Sequence, residues 1–122
     1  MFERALVSIH LTIACLAIPA AVHAQESPGD FGRTPDQMAT LLASQVVAHT
    51  SCGVRTTDVD LRAVVAKRGL DLTDFSLGGV HGELVFEKMD KAREIIAKLG
   101  TENGCDFITG VLRKFMPEVI VN

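Results

Sequence analysis

The residues with chemistry to offer are few and scattered. Downstream of position 24 the chain carries Cys52, Cys105, His49 and His81, with carboxylate pairs at Asp58/Asp60 and Asp71/Asp74. His49 is followed by Thr50, Ser51 and Cys52, but neighbours in sequence rarely form a triad, and a histidine at a helix end interacts well with the helix dipole. His81 lies among Gly78, Gly79 and Gly82 with Glu83 beside it. One imidazole and one carboxylate fall short of the three or four ligands of a zinc site. The Gly78-Gly79-x-x-Gly82 pattern lacks the preceding strand and the lysine that a phosphate loop requires. The carboxylate pairs read as helix caps and solvated loop residues. No catalytic residue, metal ligand or cofactor site is expected, and the chain reads as a non-enzyme.

The cysteines point to a staple rather than a reactive pair. There is no Cys-x-x-Cys and no strand context for redox work. An even number of cysteines in a short exported domain most simply means one bridge. Closing Cys52 to Cys105 would constrain a loop of about 54 residues, worth about 4 kcal/mol in the chain-entropy model. That is a large share of the stability of a small domain.

Export is read from the first residues. Arg4 charges a short leading region, Ala5 to Ile18 carries no charge, Pro19 breaks the apolar run, and Val22-His23-Ala24 sets modest or small side chains before a cut. Residues 1–24 are therefore expected to be a cleaved signal peptide. Ser8, His10 and Thr12 dilute the run and Pro19 shortens it, below the ~20 apolar residues of a spanning helix, so no stable membrane anchor is expected. Cys15 would leave with the signal. Removing 24 of 122 residues leaves 98, enough for one domain. The whole chain has 12 basic and 15 acidic residues, net −3, no Trp and no Tyr. That balance gives no basic footprint for nucleic acid, and the location implied is the periplasm or the exterior.

Periodicity then supplies the elements that must position anything the chain does. Residues 25–33 are polar and turn-forming, a flexible leader. Thr34, Pro35 and Gln37 predict a capping box and a first helix to about Ala48, with Cys52 in the turn after it. Thr56 or Thr57 is expected to open a second helix with Asp58 and Asp60 near its start, Leu61, Val64, Val65 and Arg68 on one face, and Gly69 as its stop. Residues 70–82 break the pattern and form a loop in which Leu72, Phe75 and Leu77 alternate: pinned to the core, or an apolar binding loop on glycine hinges. Val85, Met89, Ala92, Ile96 and Leu99 make the stripe of a third helix ended by Gly100. Phe107, Ile108, Val111, Leu112 and Phe115 mark a fourth, closed by Pro117, before the apolar tail Val119-Ile120-Val121. The expectation is an all-α, four-helix bundle-like domain over 34–122 with one disulfide.

Two resemblances bear on function. The run Cys105-Asp-Phe-Ile-Thr-Gly-Val-Leu112 resembles the Cys-x-aromatic-Ile-x-Gly-Val segment of small helical periplasmic immunity proteins against type VI secretion amidases. The overall plan is similar to that of periplasmic inhibitors of peptidoglycan hydrolases, and equally to periplasmic acid-stress chaperones. The latter show an aromatic-rich segment after their first cysteine, where this chain has Gly53-Val54-Arg55-Thr56. The expected function is a protein-interaction module that inhibits or regulates a cell-wall hydrolase, the alternative an acid-stress chaperone. Phe75, Leu77, His81, Val119, Ile120 and Val121 are the candidate partner-binding residues. Phe75, Leu77 and the tail, taken as exposed, also suit a homo-oligomer.

Overall fold

In the computed structural model, which describes residues 30–57 and 59–121, the chain starts its first helix where the capping signals place it. Helix α1 spans Pro35–Cys52, and Thr34 Oγ1 accepts the Gln37 amide at 3.2 Å. Gln37 does not close the reciprocal half of a capping box. Its Oε1 accepts the Gly32 amide instead, at 3.0 Å, and so ties the preceding turn to the helix. The signal peptide at 1–24, leader residues 25–29 and Asp58 lie outside the described residues. The end of the expected leader is packed: Gly32 is buried and the Phe31 ring stacks on Phe115 with centroids 4.3 Å apart.

α1 runs one turn beyond the expected end at Ala48, because Gly53 takes a left-handed conformation (φ 67°) that stops it one residue after Cys52. Cys52 is thus the last helical residue, not a turn residue. The second helix also differs. Asp60, not Thr56 or Thr57, caps α2, its carboxylate accepting the Arg62 amide at 3.0 Å, and α2 covers only Leu61–Ala66. Thr56 and Thr57 are extended and pair with the C-terminal tail. Thr56 bridges Ile120 in antiparallel fashion, the Thr57 amide donates to the Val119 carbonyl at 3.1 Å, and the Val121 amide donates to the Arg55 carbonyl at 3.1 Å. A short 3-10 turn follows at Leu72–Phe75, then α3 (Gly82–Leu99), α4 (Thr101–Phe115) and a 3-10 turn at Pro117–Val119.

α1, α3 and α4 pack on one another around the main core, which includes Leu41, Val47, Ile108, Leu112 and Met116. α3 and α4 reverse at Gly100 and approach closely at Gly104, where a Cβ would lie 2.5 Å from the Ile96 Cα. A second cluster, Met38, Ala39, Leu42, Val65 and Phe75, sits under the 70–82 segment. The fold is all-α, and the disulfide forms as expected: Cys52 at the end of α1 bonds Cys105 in α4, with Cα atoms 5.6 Å apart.

Arg68 fastens the joints of this frame. Its side chain is only 9% exposed, and its guanidinium donates to the carbonyls of Val64 at 3.1 Å, Phe115 at 2.9 Å and Phe31 at 3.4 Å. Three segments, the turn before α1, the end of α2 and the end of α4, are held by one side chain. The Glu118 carboxylate stands 3.8 Å away, at ion-pair range.

Candidate interaction surface

The segment between the 3-10 turn and α3 is wound by its own backbone. The Gly79 amide donates to the Ser76 carbonyl at 2.8 Å, the His81 amide to Asp74 at 2.7 Å and the Gly82 amide to Gly79 at 3.1 Å. A Cβ on Gly79 would lie 2.5 Å from the carbonyl oxygens of both Thr73 and Asp74, and one on Gly82 2.5 Å from that of Ser76. These are backbone atoms that cannot swing aside, so glycine is needed for the loop to close this tightly. At the foot of the loop Asp71 accepts the Thr73 hydroxyl at 2.7 Å and the Thr73 amide at 2.9 Å. Those two hydrogen bonds, the hydroxyl's first, hold the Asp71 carboxyl below its ordinary range.

The same winding pushes two large side chains into water. Leu77 is 87% and Val80 80% exposed, and Phe86, on the first turns of α3, is 51% exposed. Together with Gly78, Gly79, Gly82 and Glu83 they line an open depression of about 420 Å³. The loop is pinned to the core by one of its apolar residues and holds another in water. Phe75 is buried at 6% and pins the loop to the second cluster, its ring 5.2 Å from that of His81, while Leu77 projects.

The candidate residues thus divide. Leu77 is presented, and His81 is half-buried behind the tip. Phe75 is not available, because it is the anchor. Val119 (0%) and Ile120 (6%) are also buried, with Val121 half-buried: the tail that looked exposed pairs with residues 55–57 and closes the main core. An apolar tail free in water would lose its burial energy, about 1.5–3 kcal/mol per large side chain. The sequence reading passed over Val80 and Phe86. Phe86 had a usable signal, since it falls off the Val85–Met89–Ala92 stripe and must point away from the core.

Elsewhere, His49 Nδ1 donates to the Val54 carbonyl at 3.1 Å, a helix-end contact. A second depression of about 210 Å³ runs between α1, α3 and α4 beneath Phe107, beside the Lys88–Asp36 ion pair at 2.9 Å. Among the described residues no group of three or more His, Cys, Asp or Glu is placed to hold a metal, and no helix is long and apolar enough to cross a membrane. Comparison with protein-family models, curated proteins and solved structures finds no match to this chain.

Proposed function

We propose that this chain is a non-enzymatic protein-interaction module of the periplasm or exterior, which inhibits or regulates a peptidoglycan hydrolase. The observation that carries the reading is the tip: Leu77 and Val80 stand almost wholly in water on a loop that admits no Cβ at Gly79. A loop fixed before binding loses little conformational entropy when it docks. Burying Leu77 and Val80 on a partner would contribute about 3–5 kcal/mol before the costs of association. Apolar anchors on a rigid scaffold suit entry into a cleft, as an inhibitor requires. The export signal and single disulfide read from the sequence supply the setting, and the resemblance to periplasmic hydrolase inhibitors supplies the class of partner.

The test is a dye-release assay of labelled peptidoglycan with envelope extract as the source of hydrolases. The mature chain, added in excess, should slow release, and the Leu77→Asp/Val80→Asp double variant should not, while keeping the far-UV circular dichroism of the parent. Release unchanged by excess protein, or peptidoglycan cleavage by the purified protein itself, would refute the reading.

A further inference from the structure

Acidic residues are frequent in the segment that carries the tip, and Lys91 and Arg93 directly beyond it pair with two of them. Of 15 acidic and 12 basic residues, five and one fall within residues 71–90: Asp71, Asp74, Glu83, Glu87 and Asp90 against Lys88. The remaining 10 acidic and 11 basic residues leave the rest of the chain at +1, so the segment that presents Leu77 and Val80 holds more than the whole net charge of −3. The single lysine does not serve the tip, because its ammonium is drawn across to Asp36 of α1 at 2.9 Å.

Helical spacing arranges these charges round an apolar centre. Glu83, Phe86, Glu87 and Asp90 are separated by three, four and seven positions on α3 and share one exposed face. Glu87 and Asp90 make only loose surface pairs, with Lys91 at 3.9 Å and Arg93 at 3.5 Å. Asp74 and Glu83 make none among the described residues. Asp71 is the exception on the other flank, where Thr73 and the positive field of Arg62 occupy it. The surface is therefore a Leu77–Val80–Phe86 patch with the Glu83 carboxylate in its lining, and with Glu87 and Asp90, loosely paired, further along the same helix face.

We propose that the tip docks in an apolar cleft rimmed by lysine or arginine on a partner protein; this rests on the reading of the tip as the contact surface. A neutral apolar cleft would have to desolvate Glu83 without compensation, which is costly, and an acidic one would repel it. A cationic rim restores partners to Glu83 and Asp74, and a guanidinium can also lie on the exposed face of Phe86. Complementary charge of this kind acts chiefly on the rate of association and falls with salt.

The experiment places a photo-crosslinking benzophenone side chain at Val80 in the mature chain, irradiates it in envelope extract, and maps the crosslinked peptide by mass spectrometry. The expected product is a crosslink to a segment of positive net charge, with yield falling about tenfold between low and moderate salt. Glu83→Lys/Asp90→Lys should lower it to a similar degree, and the isosteric Glu83→Gln should lower it in part if the double variant does not fold. A crosslink to a neutral or acidic segment, yields indifferent to Glu83, a crosslinked dimer of the chain itself, or no product at low salt would each overturn the inference. A basic segment on a protein that does not cleave wall upholds the inference and removes the hydrolase reading. A neutral cleft on a wall hydrolase does the reverse.

Discussion

Replacing Arg68 by methionine should be among the most damaging single changes in the domain that leave the disulfide intact. Methionine keeps most of the apolar stem and removes the guanidinium, which donates to the carbonyls of Val64, Phe115 and Phe31. Each orphaned carbonyl costs about 1 kcal/mol or more where water cannot reach it. Only the Val64 bond is fully buried and those to Phe31 and Phe115 are partly so, and with the desolvation cost returned on removing the buried charge the net is about 2 kcal/mol. The ion pair is the minor part. Glu118 stands 3.8 Å off and is about a third exposed, so Glu118→Gln should cost no more than about 0.5 kcal/mol. Lysine at 68 can satisfy one or two acceptors but not a three-way fork, and should fall between the parent and methionine. Thermal unfolding followed by circular dichroism measures all three, with an expected Tm loss on the order of 10 °C for Arg68→Met. If Arg68→Met stays within about 0.5 kcal/mol of the parent, or Glu118→Gln costs as much as Arg68→Met, the side chain is not the fastener described here.

Other changes probe the remaining contacts. Gly104→Ala should destabilise by about 1–3 kcal/mol, because the new methyl meets the Ile96 Cα, a backbone atom, and forces α3 and α4 apart; an unchanged unfolding midpoint would contradict that crossing. Intact mass of protein recovered from the envelope should correspond to a chain starting at Gln25 and lacking two hydrogens, and reduction should lower stability by about 4 kcal/mol; free thiols would contradict the bridge. The Asp71 carboxyl, lowered by Thr73, favours the folded loop above its ordinary value of 3.8, and this contribution is lost as pH falls through the lower folded value. An NMR titration of the Thr73 amide should therefore show a midpoint below 3.8, moving up in Thr73→Ala; a midpoint at or above 3.8 in the parent would contradict the hydrogen bonds. Far-UV circular dichroism should show no cooperative loss of helix between about pH 4 and pH 2, whereas cooperative opening in that range with suppression of client aggregation would favour a chaperone.

The helices were legible where local signals and burial agree. Thr34-Pro35 states where α1 begins, the 4-3-4-3 stripe from Val85 to Leu99 states α3, and two cysteines suffice to state one bridge. Sequence reading failed where partners come from afar. Nothing near Thr56 says that residue 120 will pair with it, so a threonine beside two aspartates reads as a helix start when it is half of a bridge. Val119 and Ile120 read as exposed for the same reason, since a β-prone tail has no visible partner until the fold supplies one. Arg68, grouped by spacing with Val64 and Val65, was on the correct face, but its use as a three-carbonyl clamp depends on segments 37 and 47 residues away. In the loop, alternation could not tell Phe75 from Leu77. The deciding factor is the backbone closure at Gly79, which turns one side chain under and the next one out.

The contacts that hold the domain and those that present the tip lie in different places, and this separation gives the surface reading its physical sense. The disulfide joins α1 to α4, the Arg68 clamp joins the segments around α2 and the chain's end, and the tail closes the main core. The tip depends instead on Phe75 in the second cluster and on hydrogen bonds within residues 73–82. Leu77 and Val80 contribute almost nothing to either core, so a polar residue at either position removes little folding energy and takes apolar surface out of water. On stability alone such positions favour polar side chains, and an exposed leucine and valine on a loop too tight to fold them back represent a solubility cost carried by the free protein. A partner that buries them offsets that cost. If Leu77→Asp and Val80→Asp proved strongly destabilising, the two side chains would be structural in a way their exposure denies, and the interaction reading would lose its foundation.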